Sequence, residues 1–310
     1  MTKKPTRASE RVDETVAQLA RLVRTDSAAA TDFAIGLIAK ERPHRLLEPA
    51  LDVLIENVTP MARSALRARF LDLTENGVRF DQDCDLRVRI ARVLRKIGSP
   101  EDGDLAETGQ HTIQLQPPGR IDVAQSLRAG CLVWLADLDP DRANYYAVEM
   151  LTDPNASEFS GEPAVSAIQV LAAGGQILPI WALARRRGLQ PDALAQAFAS
   201  LRKSPRDLQL NALREHLAWC REAGETGEAV SLVAAEAIIL NGLTDGNSEV
   251  IDLVRQSPNR NLCLYLVATA ARHGEADLKA RLAALGRGVE PWRRAILEQG
   301  LGIESEKRGG

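Results

Sequence analysis

Aromatic residues are scarce in this chain: Phe, Trp and Tyr together supply 12 of its 310 residues. Strands draw on β-branched and aromatic side chains, whereas Ala and Leu, numbering 45 and 41, favour helix. The expectation is an all-α fold. The same scarcity leaves little for stacking against unpaired bases. No apolar run is long enough to cross a bilayer, so no membrane partner is expected. Met1 to Arg7 is basic, but no apolar leader segment follows it, and a cytoplasmic protein is expected. Cysteine is equally sparse. Cys84, Cys131, Cys220 and Cys263 never approach within 42 residues of one another, which removes paired-cysteine zinc and redox motifs. They read as free, buried thiols, as in a reducing compartment. GxSxG, the phosphate-loop GxxxxGK[ST], GxGxxG and HExxH are all missing, so no catalytic residue, metal or cofactor is expected.

What is present is helix after helix. Val12, Val16, Leu19, Leu22 and Val23 fall at three-four spacing after Ser9. Pro43 opens a helix carrying Leu46, Leu47, Leu51 and Leu54, and Thr59-Pro60 opens another that Gly77 is expected to close. Asp81 or Asp83 caps a fifth helix with Leu86, Ile90, Val93, Leu94 and Ile97 on one stripe. The pattern breaks between Gly98 and Arg120, where Ile113 and Leu115 alternate with polar residues and suggest a short extended piece stopped by Pro117-Pro118. Helices then resume to about Leu301; Leu262 to Ala271 is apolar nearly all round and is expected to be buried. The resulting organisation is a tail at 1–8, helical repeats at 9–98, a linker or long inter-repeat loop at 99–121, further repeats at 122–302 and a tail at 303–310. Both tails read as disordered.

About sixteen helices in this length give one helical pair per roughly 39 residues, close to the period of HEAT or armadillo repeats. Thr59-Pro60, Ser99-Pro100 and Asp139-Pro140 recur forty residues apart. Within Asp122 to Gly175, three runs stand out: Leu-Arg-Ala-Gly-Cys-Leu-Val-Trp-Leu, Leu-Asp-Pro-Asp-Arg-Ala, and Glu-Pro-Ala-Val-Ser-Ala-Ile-Gln-Val-Leu-Ala-Ala-Gly-Gly. This stretch resembles bacterial HEAT-repeat proteins. The resemblance implies an α-solenoid of about eight helical pairs wound as a right-handed superhelix. It further implies a scaffold or adaptor that binds another protein on its curved surface. Some HEAT-like proteins bind DNA or excise bases, and others are bilin lyases or cofactor chaperones, so those readings stand beside the first.

Two surfaces carry the candidate residues. Arg87, Arg89, Arg92, Arg95 and Lys96 occupy the polar positions of the fifth helix, with no acid between Leu86 and Ile97. The formal charge of −3 averages a +4 segment at 1–98 and a −7 remainder. The basic face is either a solvated one answered by Asp81, Asp83 and Asp85, or a site for an acidic partner or nucleic-acid phosphates. The second surface is the long loop from Thr152 to Glu162, with Asp153, Asn155, Glu158 and Glu162. It has the composition of a calcium loop, but Glu158 stands where glycine is required and Ala164 where a bidentate glutamate is required. Glu162-Pro163 reads equally as the start of the next helix. His216 and Cys220 share a helix face, as half a metal site or as a packed thiol beside a half-exposed histidine.

Overall fold

The computed structural model describes residues 7–302 apart from 42, 119–120, 224–226 and 287. Over these residues the chain is all-α, with seventeen α-helices and one two-residue hairpin. The tail expected at 303–310 lies outside the described residues, as do 1–6. Arg7 and Ala8, placed in the N-terminal tail by the sequence, belong instead to the first helix.

Two compact units make up the chain, Met1–Glu158 with Glu162–Gly175, and Phe159–Gly161 with Gln176–Gly310. The first contains α1 (Arg7–Thr25), α2 (Ser27–Lys40), α3 (His44–Glu56), α4 (Arg63–Phe80), α5 (Asp85–Ile97), α6 (Gly103–Gln110), α7 (Gln125–Leu138), α8 (Pro140–Met150) and α9 (Ala164–Ala173). Helices of this unit pack in a regular order: α1 on α3, α3 on α5, α5 on α7, α7 on α9, and behind them α2 on α4 and α4 on α6. Segment 99–121 carries the short helix α6, which packs on α7, and the first strand of a hairpin pairing Leu115–Gln116 with Ile121–Asp122.

The second unit contains α10 (Ile177–Ala184), α11 (Pro191–Ser200), α12 (Arg206–Ala223), α13 (Glu228–Leu240), α14 (Asn247–Gln256), α15 (Arg260–His273), α16 (Ala276–Leu285) and α17 (Pro291–Leu301). Here α11, α13, α15 and α17 pack in succession, and α14 packs on α16. Leu262, Leu266, Val267 and Ala270 of α15 are buried as expected, but Leu264 and Tyr265 are nearly half exposed, so one face of that helix is open.

Small residues set the packing. Ala34, Ala50, Ala106, Ala147, Ala167, Ala197 and Ala234 are fully buried, and Phe70, Trp134 and Phe198 fill the wider gaps. Each fully buried leucine contributes about 1.5–3 kcal/mol. Three evenly spaced proline openings begin equivalent helices. Thr59 and Ser99 precede one-turn 3₁₀ segments leading into α4 and α6, and Asp139 caps α8 by accepting from the Arg142 amide at 3.1 Å.

Two sequence expectations about helix ends change. Gly77 does not terminate α4, which bends at Asn76 and runs on to Phe80. Its missing side chain serves packing instead: a Cβ there would lie 2.5 Å from Gln114 Oε1 and 2.7 Å from Arg87 Nη2. Asp81 does cap α5, but from a distance. Cys84, in the left-handed region at φ 58°, turns the chain so that the Asp81 carboxylate accepts from the Leu86 and Arg87 amides at 2.9 and 3.2 Å.

Gly109 brings α6 against α7 and α4. A Cβ at this position would overlap Cys131 Sγ and sit 3.2 Å from Phe70 Cζ. Gly109→Ala is therefore expected to destabilise the chain by about 1–3 kcal/mol in urea unfolding. Adding Cys131→Ala should recover part of that loss, and equal stability of Gly109→Ala and the parent would contradict the packing described.

All four cysteines are buried and free. Burial pushes the thiols of Cys84 and Cys131 up to about 12. At about pH 8, where an ordinary thiol is partly ionised, the native chain should resist a disulfide reagent that titrates four thiols after denaturation. Rapid native-state reaction at Cys84 or Cys131 would show that the sites are open.

Candidate functional site

The five basic residues of α5 do not form one surface. Arg87 is 1% exposed and points inward, so it is not part of a solvated face. Its Nε donates to Asp81 Oδ2 at 2.8 Å, and its Nη2 to Gln114 Oε1 at 2.5 Å. Arg89 pairs with Asp85 on its own helix at 2.6 Å and with Asp52 and Glu48 on α3. Arg95 pairs with Asp137 of α7 at 2.5 Å, and Lys96 donates to the Ile55 carbonyl at 2.9 Å. Arg92 is exposed and, among the described residues, makes no hydrogen bond or ion pair. The charge excess counted along the sequence is thus largely neutralised in space.

The loop residues separate as well. Asp153 Oδ1 accepts from the Asn155 amide at 2.7 Å, and its Oδ2 lies 3.0 Å from Arg128 Nε. The Asn155 carbonyl accepts from Arg128 Nη2 at 3.2 Å and from Gln125 Nε2 at 3.3 Å. Glu158 is exposed on the loop. Glu162 serves the next helix, accepting from the Ser166 amide and hydroxyl at 3.0 and 2.9 Å. The four do not converge on one point.

A connection absent from the sequence reading joins the two surfaces. Gln114, held by Arg87, donates from Nε2 to the carbonyls of Asp81 and Gln82 at 2.9 and 2.7 Å. Its backbone amide donates to Asp122 Oδ1 at 2.9 Å. Asp122 in turn pairs with Arg128, which is 3% exposed and also donates to the Thr112 carbonyl at 3.1 Å. A buried relay Asp81–Arg87–Gln114–Asp122–Arg128–Asp153 therefore ties α5, the hairpin, α7 and the loop into one polar spine. Buried charges persist only when paired and hydrogen-bonded; here every link but the last is a hydrogen bond, and Arg128 meets Asp153 as an ion pair whose Nε completes no hydrogen bond. Sequence reasoning missed Arg128 and Gln114, and took Asp122 only as the cap of the following helix, whose N-cap position is Ala124. The available signal was polar residues flanking the Pro117-Pro118 turn, which periodicity does not weigh.

Beside Arg128 the chain forms an open cavity of about 480 Å³, bounded by the ends of α6 and α8, the start of α7 and residues 152–155. Gln110, His111, Tyr146, Glu149 and Asp153 face it with Met150. The Tyr146 hydroxyl donates to Glu107, which pushes its pKa up and keeps it protonated. His111 stacks edge-on against Tyr146, with ring centres 5.0 Å apart.

Three other hollows lie between consecutive odd-numbered helices. The first, about 430 Å³, is lined by Val16, Val23, Val53 and Glu56 on α1 and α3. The second, about 420 Å³, has Val133, Asp137, Val170 and Ala173 on α7 and α9, with Asn144 of α8. The third, about 490 Å³, has Glu236, Leu240, Leu264 and Tyr265 on α13 and α15.

The chain matches no protein-family model, no curated protein and no solved structure. Among the described residues no three of His, Cys, Asp or Glu are grouped to hold a metal ion. His216 is buried rather than half exposed. Its Nε2 lies 2.7 Å from the Ala184 carbonyl and its ring stands edge-on to Phe198.

Removing the guanidinium of Arg128 would strand Asp122 and Asp153. Arg128→Ala is expected to cost about 3–5 kcal/mol, the usual penalty for breaking a buried pair, measured as a lower urea midpoint. A loss no larger than that of a surface arginine would mean that the spine does not carry the loop.

Proposed function

We propose that the chain is a non-catalytic protein-binding scaffold, a HEAT-like α-solenoid whose grooves between odd-numbered helices hold a segment of another protein. The observation that carries this reading is recurrence. The same kind of groove returns at α1/α3, α7/α9 and α13/α15, each with an apolar floor and an acidic rim residue. Cross-helix pairs also recur at a repeat-like separation of 35 to 42 residues: Arg63–Asp102, Arg67–Asp104, Arg89–Asp52, Arg95–Asp137, Arg142–Glu107 and Arg214–Glu249. Stacked repeats leave such grooves open for many modest contacts, which suits protein recognition and needs no reactive group.

The nucleic-acid reading has less support. Polyanion binding needs cations free to neutralise phosphates, whereas four of the five basic side chains of α5 are already engaged. Retention on a DNA column at low salt that falls on Arg92→Glu with Arg95→Glu would reverse this ranking.

The scaffold reading is tested by capture from an extract of the native host with three forms of the full chain. These are the parent, Ala136→Arg with Ala173→Arg in the α7/α9 groove, and Glu75→Arg on the exposed side of α4. A partner should be retained by the parent and by Glu75→Arg. The groove variant should retain it about tenfold less, equivalent to ~1.4 kcal/mol. Equal recovery on all three forms, or no specific partner on the parent, would overturn the proposal.

A further inference from the structure

The cavity beside Arg128 holds a polar group with nothing to bind. Gln110 is 2% exposed, lines the cavity, and has no hydrogen-bond partner at either Oε1 or Nε2 among the described residues. A buried carboxamide left unpaired is costly, and an apolar side chain of similar size would avoid that cost. The surroundings say what kind of group would relieve it. α6 ends at Gln110 and α8 at Met150, so two helix C-termini, each carrying partial negative charge, meet at this cavity. Glu149 stands exposed at the rim; its carbonyl accepts from Thr152, but among the described residues its carboxylate makes no ion pair or hydrogen bond. The cation already present, Arg128, pairs with Asp122 and Asp153 and donates from its two Nη atoms to Asp122 and to the Thr112 and Asn155 carbonyls; its Nε, beside Asp153, completes no hydrogen bond. His111 turns Nδ1 to the Glu107 carbonyl at 2.8 Å, and its ring and that of Tyr146 form an aromatic wall. An anion is disfavoured here, and a purely apolar group would leave Gln110 and Glu149 unanswered.

We infer that this cavity binds a basic residue, lysyl or arginyl, embedded in a peptide. The ammonium or guanidinium pairs with Glu149, the aliphatic stem lies against Tyr146 and Met150, and the adjoining peptide group meets Gln110. A peptide group presents one acceptor and one donor, which matches the donor and acceptor of a carboxamide. Both amide atoms are covered in the unbound chain, so binding turns the Gln110 side chain outward. The inference deepens the scaffold reading by naming what a partner inserts, and it rests on that reading for its source of peptide.

The test uses small probes on the full chain and needs no partner, so it fails or succeeds separately from the capture experiment. Ligand-detected saturation-transfer NMR is recorded with N-acetyl-lysine methylamide, N-acetyl-arginine methylamide, N-acetyl-glutamate methylamide and free arginine. At least one of the two basic amides should give transfer. The glutamate amide should give none, and free arginine, whose carboxylate faces Glu149 and Asp153, should give less. Glu149→Gln, a surface change that leaves the packing intact, should reduce the signal about tenfold. Gln110→Met should abolish the signal while melting no lower than the parent, because the unbound protein loses an unpaired amide. Equal transfer from the glutamate amide, unchanged transfer in both variants, no transfer from either basic amide, or a clear fall in melting temperature for Gln110→Met would each overturn the inference.

Discussion

A fully buried charge fixes its neighbours more tightly than any apolar contact, because every hydrogen bond it loses must be replaced in place. Arg87 and Arg128 impose that constraint on the first unit. Each guanidinium is flat, with donors in fixed directions, so the acceptors must come to it. Asp81 comes from the α4–α5 turn, Gln114 and Asp122 from the two sides of the hairpin, and Asp153 and Asn155 from the loop after α8. Without this spine the segment between α6 and α7 would have a two-residue ladder and a few local or exposed hydrogen bonds to order it. Two short strands alone are marginal in water. Close approach is a further requirement of the same network, and Gly77 meets it by presenting no side chain to Arg87 and Gln114.

Away from the spine, charges act differently. Arg89, Arg95 and Arg142 are partly exposed and pair across neighbouring helices. Exposed pairs of this kind contribute little to stability. Apolar packing supplies the stability, and alanine lets helices approach closely along most seams. In a chain with 12 aromatic residues, the few large side chains, among them Trp134, Phe70 and Phe198, are placed where the seams widen.

The all-α class and most helix positions were legible in the sequence, because three-four periodicity and proline openings are local signals. One side of the hairpin was legible as a short extended piece at Ile113 and Leu115, whereas its partner strand beyond the double proline was not. Gly77 misled because a glycine near a helix end has two uses, termination and close packing, and only the neighbour across the gap decides between them. The basic face of α5 misled for a related reason. Helix geometry says which residues share a side, but Arg87 sits at the edge of that side, and its direction depends on Asp81 and Gln114. The cavity beside Arg128 was half visible. Asp153 and Asn155 stood out as loop residues, whereas Gln110, Tyr146 and Glu149 belong to helices whose ends meet only in three dimensions.

The order of contacts within each unit also bears on how the chain folds. Helices pack on those one or two places away in sequence, so the loops closed during folding are short and their entropy cost grows slowly. Low contact order of this kind is associated with fast folding. The spine is the exception to purely pairwise assembly. Asp81 and Asp153 are joined through four intermediates, so α5, the hairpin, α7 and the loop gain their polar partners together. Around Arg128 the first unit is thus a cooperative block, while the seams outside it can open one at a time.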